Sequence, residues 1–298
     1  MLNNHCNLCP RHCMVDRGTS SGFCSVCGEK IRVGCASLHI WEEPCISGEN
    51  GSGTIFFAGC NLKCVYCQNF KLSRGDAGLD ITYQQLAQIM ITLQEKGAHN
   101  INLVTPTHYS DQIIKALVLA QKEGLYIPVV YNTSGYETIE AIHSLEKYVD
   151  VYLTDFKYAD NALAQKYSGV SDYYEVAENA LRTMIEQTGK PQFDRNGMLK
   201  RGVIVRHLVL PGQLENSKLV LKKVYSLFGD SVIFSIMNQY TPISGVAFEE
   251  LKYTVCADEY DEIVRFARSI GITDAYIQDG QAQSESFIPT FNGEGVIL

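Results

Sequence analysis

Thr54-Ile55-Phe56-Phe57-Ala58-Gly59-Cys60-Asn61-Leu62-Lys63-Cys64-Val65-Tyr66-Cys67-Gln68-Asn69 is the stretch on which the fold turns. Its first four residues form a short apolar and β-branched run that reads as a strand buried on both faces. Three thiols follow at once. If the strand belongs to a parallel sheet, Cys60, Cys64 and Cys67 stand on the loop at its carboxyl end. That is where β/α barrels and open doubly wound sheets both build their active sites.

The pattern continues downstream. Ile101-Asn102-Leu103-Val104, Pro128-Val129-Val130-Tyr131, Val151-Tyr152-Leu153-Thr154, Val203-Ile204-Val205 and Val232-Ile233-Phe234-Ser235 read as further buried parallel strands. Between the first two strands, Thr82 and Gln85 form a capping box. Leu86, Ile89, Met90 and Leu93 share one helical face, and Gly97 ends the helix. Helices are also expected over residues 111–123, 136–147, 174–187, 217–227 and 258–269. Strands and helices alternating in this way predict an α/β fold, a partial (β/α)6 TIM-like barrel over 53–298, behind a cysteine-rich cap over 1–52. Up to about Gly53 the chain shows neither helical nor strand periodicity and reads as a metal-stapled segment.

A chain of 298 residues with 46% hydrophobic and 19% charged residues can bury one large core. With 25 basic and 33 acidic side chains, its formal charge of −8 leaves no basic footprint for nucleic acid or an anionic membrane. No apolar run of about 18 residues is present to span a bilayer, and the opening residues lack a secretory core, so a cytoplasmic location is expected. Ten of the eleven cysteines fall within the first 67 residues. In a reducing compartment that clustering points to metal rather than disulfides. Cys35, Cys45 and Cys256 are expected to be small buried thiols that pack.

Three close thiolates hold three irons of a cubane and leave the fourth with open coordination, able to bind a substrate. Cys-x3-Cys-x2-Cys, with the aromatic Tyr66 just before the third cysteine, resembles the signature of the radical S-adenosylmethionine (SAM) superfamily. The resemblance implies a [4Fe-4S] cluster on Cys60, Cys64 and Cys67. SAM chelates its open iron, and one electron breaks the sulfur to C5′ bond. The 5′-deoxyadenosyl radical then removes hydrogen from a substrate. A ferredoxin or flavodoxin is implied as electron donor.

The resemblance also assigns cofactor contacts at successive strand ends. Tyr66 belongs to the cluster loop. Thr105-Pro106-Thr107-His108 stands where many relatives carry Gly-Gly-Glu, so Thr105, Thr107 or His108 would meet the SAM amino group. Asn132-Thr133-Ser134-Gly135 resembles the Thr-Asn-Gly stretch of activating enzymes, with Asn132 and Ser134 suited to ribose and carboxylate. Asp155-Phe156-Lys157 resembles their Asp-x-Lys motif, with Lys157 paired to the carboxylate. Arg206, before Leu208-Val209-Leu210-Pro211-Gly212, would be a second anion contact.

In the cap, Cys6-x2-Cys9-Pro10-Arg11-His12-Cys13 and Cys24-Ser25-Val26-Cys27 supply five thiols. Cys6, Cys9, Cys13 and Cys24 are the chosen ligands, with Cys27 as replacement. Four thiolates fit structural zinc and a closed [4Fe-4S] cluster equally. Leu38-His39-Ile40-Trp41-Glu42-Glu43-Pro44 holds the sole tryptophan. It reads as a linker packing its aromatic against the scaffold, with a substrate-pocket lining as the alternative.

The Cys-Pro-Arg knuckle, Val15-Asp16-Arg17, the Thr-Pro-Thr-His stretch and Asp279-Gly280-Gln281-Ala282-Gln283 together resemble a branch related to the pyruvate formate-lyase activating enzymes. Three functions remain open: hydrogen abstraction from a backbone glycine of a partner enzyme; radical modification of a small molecule, peptide or nucleoside; and a non-catalytic zinc-binding interaction module. Asn238-Gln239-Tyr240 and 279–286 are candidates to face the substrate.

Overall fold

The computed structural model describes residues 5–278 and 291–297, so the 279–286 candidates lie outside the described residues. The chain runs β1 (Ile31–His39), α1 (Pro44–Ser47), β2 (Ser52–Phe57), α2 (Phe70–Ser73), β3 (Leu79–Ile81), α3 (Tyr83–Glu95) and β4 (Ile101–Val104). It continues through α4 (Ser110–Lys122), β5 (Val129–Thr133), α5 (Ile139–Leu145), β6 (Val151–Asp155), α6 (Asn161–Ser168) and α7 (Tyr173–Thr188). The remaining elements are β7 (Gln192–Phe193), β8 (Leu199–Leu208), α8 (Leu214–Phe228), β9 (Ile233–Met237), α9 (Ala257–Ser269) and β10 (Ala275–Ile277).

All six expected strands form, as β2, β4, β5, β6, β8 and β9. They pair in parallel in the order β10-β9-β8-β6-β5-β4-β2, and β1 and β3 extend the sheet antiparallel beyond β2. Among the described residues the two ends of this order do not pair with one another, which leaves a partial barrel open on one side.

The period-2 alternation of each strand separates two cores. Ile55, Leu103, Tyr131, Tyr152, Val203 and Phe234 face outward into the core shared with Leu86, Met90, Ile113 and Leu117 of the helices. Val130, Val151, Leu153 and Ile204 face inward and meet Cys45 and Ile46. The capping box of α3 forms as expected: the Gln85 amide donates to Thr82 Oγ1 at 3.3 Å, and the Thr82 amide donates to Gln85 Oε1 at 2.9 Å.

The first 53 residues depart from expectation. Ile31–His39 is a nine-residue strand in the main sheet, with Ile31 and Val33 fully buried. Residues 38–44 are not a linker resting its tryptophan on the scaffold, because Trp41 is 57% exposed. Instead the chain turns at Pro44, whose fixed φ suits a first helical position. The single turn of α1 then enters the barrel and floors its lumen with Cys45 and Ile46. Burying Ile46 completely contributes about 1.5–3 kcal/mol. Cys35 and Cys45 are buried as expected, whereas Cys256 is exposed at the N-cap of α9.

Candidate active site

The thiol loop leaves β2 at its carboxyl end. Cys60 Sγ accepts from the amides of Leu62 (3.3 Å) and Lys63 (3.5 Å), and the Ser168 hydroxyl donates to Cys64 Sγ at 3.0 Å. Burial, aided by the neighbouring thiols, pushes Cys60 up to about 12 and raises Cys67. Such thiols ionise when a metal centre takes up the charge. Among the described residues no three Cys, His, Asp or Glu side chains stand in ligating geometry as they lie. The donor chemistry nevertheless fits an iron-sulfur cluster, because the sulfurs sit where backbone and hydroxyl donors reach them.

The cap is docked on this loop. Gly59 has φ of 90°, and a Cβ there would lie 2.4 Å from the Cys24 carbonyl oxygen, so a side chain would separate the two segments. Arg11 spans the junction: its guanidinium donates to the carbonyls of Asn61 (2.7 Å), Gly169 (2.8 Å) and Ser168 (2.9 Å). Arg11 thereby holds the residue whose hydroxyl reaches Cys64.

Within the cap, Cys13 and Cys24 Sγ lie 3.4 and 3.8 Å from the position of a Cβ built on Gly22. Burial pushes Cys9 up to about 12, with charge on Cys24 and Cys13 adding to it; Cys24 is raised by burial and by Cys6 and Cys13. The four chosen thiols thus lie within electrostatic reach of one another. Cys27 is exposed, and its thiol points at the Arg17 carbonyl, 3.4 Å away.

A second polar group lies on the inner faces of the strands. Arg206 on β8 donates to Asn132 Oδ1 (2.6 Å), Asp155 Oδ1 (3.1 Å) and Glu42 Oε2 (3.2 Å). Lys157 Nζ meets Asp155 Oδ2 at 2.5 Å. Burial alone would push Asp155 up, but Lys157 and Arg206 outweigh it and hold the carboxyl below its ordinary value. The positive charge of Lys157 also reaches Cys67, where it favours the thiolate. Ser134 Oγ is buried with no hydrogen-bond partner, an orphaned hydroxyl suited to a bound ligand.

The structure therefore brings Asn132, Asp155, Lys157 and Arg206 together beside the thiol loop. The polar groups of Tyr66 and His108 also lie at this loop, the first reaching Cys64 through Tyr158 and Ser168 and the second packed against Gly59, but these two and Thr107 are committed to protein partners. The Tyr66 hydroxyl is paired with that of Tyr158 at 2.8 Å. Thr107 Oγ1 donates to buried Glu137 at 2.5 Å, and His108 Nε2 faces the Ala58 carbonyl at 2.8 Å. Thr105 ends β4 in the left-handed region (φ 58°), with its amide donated to the Asn132 carbonyl.

Sequence reading did not assign Asn102 or Ser235 to the site, and it offered Glu42 and Glu43 only as the alternative pocket lining within residues 38–44. Glu42 Oε1 accepts from Asn102 Nδ2 at 2.9 Å, and Glu43 lies against Ser235 with Arg206 nearby. The acid pair directly before Pro44 was the available signal, because it marks a helix start.

Residues 54–219 match the family model described as the Radical SAM superfamily. Uncharacterized protein MJ0674 of Methanocaldococcus jannaschii is 32% identical over 252 residues, covering 80% of this chain and 66% of that protein. Among solved structures, HydG, a maturase of the [FeFe]-hydrogenase, is similar in fold with a TM-score of 0.50 and 15% identity, over 79% of this chain and 53% of HydG. SuiB of Streptococcus suis bound to S-adenosylmethionine gives a TM-score of 0.49 and 14% identity, over 79% of this chain and 55% of SuiB. The chain thus spans just under two thirds of the archaeal relative and about half of these two structures. Among the described residues no helix is long and apolar enough to cross a membrane.

Proposed function

The chain belongs to the radical SAM superfamily, whose enzymes use a [4Fe-4S] cluster and SAM, and on that premise we propose that Cys60, Cys64 and Cys67 hold that cluster and that hydrogen is abstracted from a polar substrate in the barrel lumen. The observation that carries this reading is the meeting of the three-thiol loop with Lys157, Asp155 and Arg206 at successive strand ends. Bound there, the cluster supplies the electron that cleaves SAM.

The chain's own residues bind and orient. Lys157 presents a cation beside Cys67 for the SAM carboxylate, Asp155 fixes that lysine, and Ser134 and Asn132 offer a hydroxyl and an amide for its polar groups. Cys6, Cys9, Cys13 and Cys24 form a second, closed centre, zinc or [4Fe-4S]. A ferredoxin or flavodoxin supplies the reducing electron.

The polar lumen favours a substrate that reaches down into the barrel, a small molecule or a peptide side chain. A backbone glycine of a partner enzyme has no side chain to reach that floor, so the activating-enzyme reading is the weaker fit. The test is anaerobic reconstitution followed by assay of 5′-deoxyadenosine and electron paramagnetic resonance. Cys64→Ala is expected to abolish SAM cleavage and to remove the spectral change that SAM causes. Retained 5′-deoxyadenosine, or zinc without iron at the three thiols, would refute the assignment.

A further inference from the structure

The lumen floor is unbalanced in charge. Three carboxylates face two cations along the lumen: Glu42 and Glu43 at its floor, Asp155 with Lys157 at its rim, and Arg206 between them. Arg206 spends its guanidinium on Glu42, Asp155 and Asn132, and Lys157 bonds Asp155. Glu43, only 8% exposed, has the hydroxyl of Ser235, its own backbone amide and the charge of Arg206 but no ion pair of its own, and burial raises its carboxyl above the ordinary value. Burying a carboxylate without a partner costs several kcal/mol, about that of an unpaired ion in a low-dielectric site.

Two buried acceptors there have no partner. Glu43 Oε2 makes no hydrogen bond, and neither does Asn102 Oδ1, on a side chain that is fully buried. The orientation of Asn102 is not free. Its Nδ2 is committed to Glu42 Oε1 at 2.9 Å, so the end left over must be the carbonyl. Asn102 Oδ1 is therefore an acceptor, and Glu43 Oε2 is one when its carboxyl is ionised, a form that burial opposes and a bound cation would favour. Asn102 stands on β4 and Ser235, beside Glu43, on β9, so they come from opposite walls of one lumen.

We infer that this floor binds a cationic, hydrogen-bond-donating group of the substrate, an ammonium or guanidinium, held by Glu43 and Asn102. The inference rests on the proposed function, in which the lumen admits the substrate. A group bound here is distinct from the amino group of SAM at the rim, because Asn102 lies three residues below Thr105, about 10 Å at the rise of a strand. An anionic group would face acceptors on both sides. A neutral donor would satisfy the hydrogen bonds but leave the charge uncompensated.

The probe is n-propylammonium chloride, titrated calorimetrically into reconstituted, SAM-loaded protein, against sodium propionate, 1-propanol and potassium chloride at equal ionic strength. Propylammonium is expected to bind and the other three are not, and Glu43→Gln is expected to weaken it at least about tenfold. Equal binding of propionate, propanol or potassium would overturn the inference. So would the absence of propylammonium binding at about 20 mM, or unchanged affinity in Glu43→Gln. Wild-type selectivity decides the matter by itself if that variant does not fold. Paramagnetic resonance of the same samples reports SAM at the cluster separately. Loss of that signal with cation selectivity intact refutes the proposed function and leaves the floor assignment standing.

Discussion

Arg206→Met keeps the length of the side chain and removes its charge. In the wild type the guanidinium makes contacts of 2.6, 3.1 and 3.2 Å with Asn132, Asp155 and Glu42. Without it, Lys157 alone faces three buried carboxylates, and breaking a buried pair from one side costs about 3–5 kcal/mol. The loss should depend on pH with a definite sign. Arg206 and Lys157 now hold Asp155 below its ordinary value against the opposing effect of burial, whereas burial keeps Glu42 above its own despite Arg206. Removing Arg206 raises both folded-state values. A carboxyl raised in the folded state destabilises progressively as pH climbs from its unfolded value, about 4, through its folded one. The deficit should therefore open below pH 4, where wild-type Asp155 ionises, be partly developed at pH 5 and grow towards its full size by pH 8 as Glu42 joins it. Urea midpoints followed by circular dichroism, under anaerobic reducing conditions at pH 5 and pH 8, measure it. Adding Glu42→Gln should return part of the loss. A deficit below about 1 kcal/mol at pH 8, or one that does not change with pH, would refute the account of a charge-locked lumen.

Ile46→Ala should cost about 2–5 kcal/mol in urea unfolding, because this fully buried side chain fills the lumen against Val130, Leu153 and Ile204; a loss under about 1 kcal/mol would mean the floor is not packed. Burial pushes Glu137 up from 4.5 to about 7 although Thr107 and Thr133 donate to it. The wild type should therefore lose about 3 kcal/mol as pH rises from about 4.5 to 7, and Glu137→Gln, which keeps an acceptor for both hydroxyls, should not; parallel pH profiles would refute this. Arg11→Met removes three charge-assisted bonds of about 1.5–3 kcal/mol each at most, so the thiol loop should loosen. An altered cluster resonance and weaker response to SAM are expected, and an unchanged spectrum would remove the clamp role.

The parallel strands were legible because strands buried on both faces carry their apolar residues in unbroken runs, as Val151 to Leu153 and Val203 to Val205 do. The thiol loop was legible because its three cysteines sit close together in sequence, directly after a strand. The lumen floor was not. A single helical turn such as Pro44–Ser47 is too short to display a 3.6-residue period, and β1 is obscured by Gly34, Ala36 and Ser37 among its apolar positions. The partner of Glu42 stands 164 residues away, beyond any local pattern. Thr107 and His108 follow Thr105 in the chain, yet the tight helical turn of Thr107–Tyr109 commits their polar atoms to Glu137 and Ala58.

The floor also bears on how the chain comes off the ribosome. Pro44–Ser47 emerges before the walls it packs against, through Leu153 on β6 and Ile204 on β8, are made. Until then Ile46 and Cys45 have no enclosing surface, and closure of the lumen is a contact of high sequence separation, slow to form. A nascent chain halted before residue 199 would carry an unpaired β6 edge and an apolar turn without its β8 wall, and these are the features that holdase chaperones and aggregation both select.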